Sequence, residues 1–262
     1  MSFPRRIVCL TEEPTEVLYA LGEEDRIVGI SNFTVRPARA RKEKPKVSAF
    51  TSAHIDDIVR LEPDLVIGFS DIQADIARDL IKEGVEVWIS NHRSVDGILS
   101  YVRRLGAMIG ATDKANMFAD QLAAHVTEVQ EAASAWPSRP KVYFEEWPDP
   151  VITGIRWVAE IIRIAGGDDV FPELSGSSLA KDRIIADPSK VIAANPDVIL
   201  ASWCGKKVRF DQIYARDGWD QIEAITHKRV HEIDSAIILQ PGPAALSEGL
   251  DEVHRILANA VG

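Results

Sequence analysis

A chain of 262 residues that is 46% hydrophobic can bury a substantial core, as one large domain or as two modest ones. Its net charge is −10, and no Lys/Arg block dominates, which argues against a general nucleic-acid binder because phosphate recognition needs clustered positive charge. No apolar run approaches the roughly 20 residues needed to span a bilayer, and two cysteines, Cys9 and Cys204, do not make the disulfide framework of a small secreted domain.

Met1-Ser2-Phe3-Pro4-Arg5-Arg6 runs straight into the first apolar stretch without the segment a signal peptide requires. Read literally, this predicts a cytoplasmic chain or one already stripped of a leader. Residues 7–10, 27–30, 65–69 and 85–89 read as strands, with helical periods over 15–21, 55–61, 72–83 and 95–109. Strands alternating with helices predict an α/β fold with mostly parallel sheets covered on both faces. Phe118, Leu122, Val126, Val129, Ala133 and Trp136 then form one apolar stripe, opened by the cap candidate Thr112 and closed by Pro137. The second half repeats the plan with strands at 142–144 and 198–201 and helices at 157–165, 189–194 and 246–260.

Part of the chain is written twice. Residues 54–67 read like residues 186–200, with Glu62-Pro63-Asp64 matching Asn195-Pro196-Asp197, 133 positions later. The same offset carries Glu12-Glu13 onto Glu145-Glu146, each pair directly following an apolar run. Two similar halves predict two similar lobes, residues 1–110 and 138–262, joined by one long α-helix within 111–137, with a ligand cleft between the lobes.

In open parallel sheets ligands bind beyond the carboxyl ends of the strands. The residues there include Thr11-Glu12-Glu13, Asn32-Phe33, Phe69-Ser70-Asp71 and Asn91-His92-Arg93, with Phe50 on a loop; the second half adds Glu145-Glu146-Trp147, Arg156-Trp157 and Ser202-Trp203-Cys204-Gly205-Lys206. Aromatics in polar loops suit flat, partly apolar ligands. The glutamate pairs either complement the positive ends of following helices or face a ligand. Trp147, Trp157 and Trp203 either pack the lobes together or line the site, and Arg156 with Lys206-Lys207 is either a solvated face or a basic rim. Enzyme signatures are missing: there is no phosphate loop, nucleophile elbow or zinc spacing, and Ser178-Leu179-Ala180-Lys181 lacks companion motifs. No catalytic residue, metal site or cofactor is expected.

Arg6-Ile7-Val8-Cys9-Leu10-Thr11 leading into residues 15–22, Arg26-Ile27-Val28-Gly29-Ile30-Ser31, and Val47-Ser48-Ala49-Phe50 followed by residues 61–67 together resemble the periplasmic-binding family for vitamin B12 and iron-siderophores, the substrate-binding components of ABC importers. The resemblance covers nearly the whole length. It implies two α/β lobes joined by one long helix, an ABC permease as partner, a periplasmic setting and, from the B12-binding branch, Phe50 and Phe69 as ligand contacts. Family members dock through an exposed acidic residue in each lobe, for which Asp75 and Asp211 are the nearest candidates. The resulting expectation is a binding protein for cobalamin or a related corrinoid, with a ferric siderophore or haem next. Phe33, Phe50, Phe69, Trp147 and Trp203 would supply apolar walls; Arg156, Lys206 and His92 would meet anionic groups; Glu13 and Glu146 would accept hydrogen bonds from amides. The rival reading is a cytoplasmic enzyme or corrinoid-handling factor on the same fold.

Overall fold

The computed structural model describes residues 3–261. The chain forms two compact units: the first runs to His92 and resumes over Asp96–Ala123, and the second takes Arg93–Val95 and everything described from Ala124 onward.

The first unit is a five-stranded sheet in the order β3-β2-β1-β4-β5, built from β1 (Ile7–Cys9), β2 (Ile27–Ser31), β3 (Lys46–Ser48), β4 (Leu65–Phe69) and β5 (Val87–Ser90). Every pairing is parallel. The helices are α1 (Glu12–Ala20), α2 (Ala40–Glu43), α3 (Ile55–Arg60), α4 (Ala74–Lys82), α5 (Val95–Met108) and the first half of α6 (Thr112–Ser134). Successive strand residues point to opposite faces, and both faces are covered. Ile7, Cys9, Ile27, Leu65 and Ile67 pack with Val17 and Leu18 of α1, Tyr101 and Leu105 of α5, and Ala115 and Ala119 of α6. Val8, Leu10 and Val66 pack with Ile58 of α3 and Ile76 and Leu80 of α4. Burial on both sides is why these strands read as continuous apolar runs.

The second unit holds β6 (Lys141–Pro148), β7 (Val151–Thr153), β8 (Asp168–Asp169), β9 (Val198–Ala201) and β10 (Val230–Glu232), in the order β10-β9-β6-β7 with β8 also on β6. Its helices are α7 (Arg156–Ile164), α8 (Pro172–Ser175), α9 (Ser189–Ala194), α10 (Phe210–Tyr214), α11 (Glu223–Thr226), α12 (Ser235–Ile238) and α13 (Glu248–Val261). The β6–β7 pairing is antiparallel, a hairpin that the sequence did not reveal. Tyr143, Ile199, Ala201 and Trp203 pack with Val191, Ile213, Trp219 and Ile222 on one face. Helix α7 ends at Gly166, whose φ of +103° and closeness to the Trp136 ring exclude a side chain.

The long helix is continuous over 23 residues, and none of the five stripe residues within it, Phe118 to Ala133, is exposed. It stops at Ser134, before Trp136, which stacks on His254 with centroids 4.9 Å apart. It is not a segment separate from the units, because residues up to Ala123 belong to the first and the rest to the second.

The duplicated motif is a structural clip. Glu62 and Asn195 both adopt the left-handed conformation, at φ 47° and 45°, and each turns the chain out of a short helix. Two residues on, Asp64 accepts from the amides of Arg5 and Arg6 at 2.7 and 2.9 Å, and Asp197 accepts from that of Lys141 at 2.7 Å. Each aspartate thereby ties the start of one strand to the start of its neighbour, at the edge opposite the strands' carboxyl ends. The glutamate pairs, however, are not equivalent. Ile67 corresponds to Leu200, 133 positions later, but their partners Cys9 and Phe144 are 135 apart. Glu12-Glu13 therefore open α1, while Glu145-Glu146 lie inside β6 and precede no helix.

Candidate functional site

The carboxyl ends of the first unit's strands gather Thr11 to Glu13, Asn32-Phe33, Ala49-Phe50, Ser70 and Asn91-His92 along one edge of its sheet. Phe33 follows β2 and projects into solvent, 53% exposed, on a loop pinned by Arg41, which donates to the carbonyls of Asn32 and Thr34 at 2.7 and 2.9 Å. Phe50 is half-buried after β3. Phe69 and His92 do not face outward. Both are buried, with the Phe69 ring edge-on to His92 at 5.2 Å, His92 stacked on Tyr101 at 4.3 Å, and Ser90 Oγ 2.6 Å from His92 Nδ1. Hence the expected apolar wall at Phe69 and the expected anion contact at His92 are packed into one aromatic column under the rim.

Gln73, which the sequence reading missed, organises this edge. It is fully buried; its Oε1 accepts from the Phe69 amide at 2.9 Å, and its Nε2 donates to the carbonyls of Phe50 at 3.0 Å and Leu10 at 3.4 Å. One side-chain amide thus joins the ends of β1, β3 and β4. Beside it Ser70 sits at φ +71°, a strained conformation for a residue with a Cβ.

Glu12 and Glu13 stand in the first turn of α1, where the helix dipole favours a carboxylate by less than about 1 kcal/mol. Burial outweighs it. Desolvation, then the neighbouring Glu13 and Glu16, pushes Glu12 up to about 8. Desolvation pushes Glu13 up to about 7 against the hydrogen bond that Thr11 donates to it at 2.7 Å. Below them, burial pushes the Cys9 thiol up to about 12.

The second unit's edge is built on ion pairs instead. Arg216 donates to both oxygens of the fully buried Glu145, at 2.5 and 3.0 Å, while Trp203 Nε1 and the Tyr143 hydroxyl donate to it at 3.1 Å each. Arg183, itself buried, forms a second fork with Glu146 at 2.6 and 3.0 Å. Trp203 is therefore core rather than wall, and Glu146 already holds a partner. Arg156 pairs with Glu160 at 2.8 Å along α7. At the surface, Lys206 Nζ lies 4.2 Å from the centroid of the half-buried Trp147 ring, whose Nε1 donates to the Asp149 carbonyl at 2.9 Å. Gly205, at φ +69°, turns the chain that carries Lys206. Cys204 is exposed and Cys9 buried. Arg183 and Arg216 were invisible in the sequence, because isolated arginines in loop-rich stretches carry no signal of the strand they will reach.

The rims at the carboxyl ends of the two units carry partly open aromatics, Phe33 and Phe50 in the first and Trp147 in the second. Residues 7–237 match the family described as periplasmic binding protein, and the chain belongs to that family, whose members include substrate-binding components of ABC importers. It is 27% identical over 259 residues to an uncharacterized ABC transporter substrate-binding lipoprotein of Bacillus subtilis, covering 95% of this chain and 79% of that protein. It is 25% identical to the vitamin B12-binding protein of Vibrio campbellii, over 76% of this chain and 70% of that protein. The periplasmic haem-binding protein RhuT from Roseiflexus superposes with a TM-score of 0.84 at 23% identity, covering 98% and 99% of the two chains. Among the described residues no helix is long and apolar enough to cross a membrane.

Proposed function

We propose that the protein captures a bulky corrinoid, cobalamin first, for delivery to an ABC permease, by binding without catalysis. The observation that carries this reading is the set of aromatics left partly open at strand ends, Phe33 and Phe50 in the first unit and Trp147 under Lys206 in the second. Cobalamin offers a flat corrin face, amide arms and the phosphodiester of its nucleotide loop. The aromatics suit the face and Lys206 the phosphate, whereas Thr11, Glu12 and Glu13 are buried behind the rim, with Thr11 donating to Glu13. Similarity to a vitamin B12-binding protein supports the same ligand class. Asp75 and Asp211, on exposed first turns of α4 and α10, are the proposed permease contacts; each is held by an arginine, Arg78 at 2.6 Å and Arg209 at 2.9 Å.

Titration of the purified protein with cyanocobalamin, haemin and a ferric hydroxamate, followed by tryptophan emission, tests the reading. The expected result is a saturable change with cyanocobalamin at the lowest concentration. Tighter binding of haemin or the ferric chelate would replace the corrinoid, and no response to any of the three would overturn the proposal.

A further inference from the structure

Phe50 stands at the tip of a tight turn that leaves β3. The turn is closed by the Ala49 amide, which donates to the Ser52 carbonyl at 2.7 Å, and by a bridge pairing of Ser48 with Ala53. Gln73 reaches this tip from another part of the chain. It ends the short turn Asp71–Gln73 after β4, where the positive φ of Ser70 swings the chain back toward the strand it has just left. Its buried side chain accepts from the Phe69 amide at 2.9 Å and donates to the Phe50 carbonyl at 3.0 Å and the Leu10 carbonyl at 3.4 Å. The strand makes room for it, because a Cβ at Gly68 would stand 2.5 Å from Gln73 Oε1. A primary amide meets this whole set, one N–H that needs an acceptor and two carbonyls that need donors, whereas a carboxylate only accepts and a thioether donates nothing.

We propose that Gln73 is a positioning residue for ligand binding: through its bond to the Phe50 carbonyl it fixes the turn, and with it the Phe50 ring, at the rim before a ligand arrives. A rim aromatic held in advance costs the complex no ordering, while a loose one must be ordered on binding, at about three- to tenfold in affinity. Gln73 touches no ligand itself and acts through Phe50. For the ligand that Phe50 meets, the inference rests on the corrinoid reading; for the position of the turn it does not.

The test uses the full chain, with Gln73→Met to remove the hydrogen bonds at similar volume and Leu80→Val, in the buried far half of α4, as a control for lost stability. Without ligand, hydrogen exchange followed by NMR should show slow Gln73 Nε2 protons in the unsubstituted protein. Exchange over residues 49–53 should be faster in Gln73→Met and unchanged in Leu80→Val. With cyanocobalamin, Gln73→Met should bind about three- to tenfold more weakly and Leu80→Val as the unsubstituted protein does. Gln73 Nε2 protons that exchange as fast as those of a surface glutamine would overturn the proposal, as would turn exchange unchanged by Gln73→Met or a loosened turn with full affinity. If the unsubstituted protein takes haemin or a ferric hydroxamate in place of cyanocobalamin, the corrinoid reading falls and the same affinity ratio is read with that probe. If it takes none of them, the binding reading falls while the exchange measurements still decide whether Gln73 holds the turn.

Discussion

The two units share a strand plan and differ in how they treat acid near the carboxyl ends of β1 and β6. In the first, β1 is flanked by β2 and β4, and its glutamates are buried at a helix start, where desolvation outweighs the attraction of Arg41 for Glu12. In the second, β6 folds back into the β6–β7 hairpin, and each glutamate is gripped by an arginine fork. The difference teaches that a duplicated Glu-Glu pair is not a duplicated site. Two residues of register shift move the second pair from a helix start into a strand, where charge can be retained only by pairing.

The largest break in the comparison should come from the forks. Arg216→Ala leaves Glu145 buried and uncompensated, and chemical denaturation should report a loss of about 3–5 kcal/mol. A loss under about 1 kcal/mol would show that water reaches Glu145.

The first unit should instead respond to pH. Glu13 is raised from 4.5 to about 7 and Glu12 to about 8, so the folded state binds more protons than the unfolded chain between these values. Stability is then fully present below pH 4.5 and lost as pH rises through about 7 and 8, with Glu13 alone accounting for on the order of 3 kcal/mol. Glu13→Gln should remove its share of that slope, and an unchanged slope of urea midpoint against pH would refute the assignment.

The clips should be matched but unequal. Asp64→Ala removes two charge-assisted bonds and Asp197→Ala one, so losses of about 2 and about 1 kcal/mol are expected in urea unfolding. Equal losses would argue that the second clip is better shielded.

At the rims the effects are smaller still. Trp147→Leu should weaken corrinoid binding by about 1 kcal/mol, near fivefold, and Lys206→Ala should weaken it less. Thiol labelling of the native protein should modify Cys204 and spare Cys9, whose thiol is buried and pushed up to about 12. Equal rates at both positions would contradict the packing around β1.

By itself the sequence determined the alternation of strands and helices, a long helix opening at Thr112, and the repeat centred on Pro63 and Pro196. These are local or periodic properties, and hydrophobic spacing records them directly. Only the tertiary structure decided that the repeat is a strand-start clip, that Phe69 and His92 join a buried column with Tyr101, and that Trp203 and Glu145 meet Arg216. Trp203 and Arg216 lie 58 and 71 residues from Glu145 in the chain. Such contacts follow from sheet order and register, which the antiparallel β7 altered in one unit alone, and no periodicity in the chain encodes that choice.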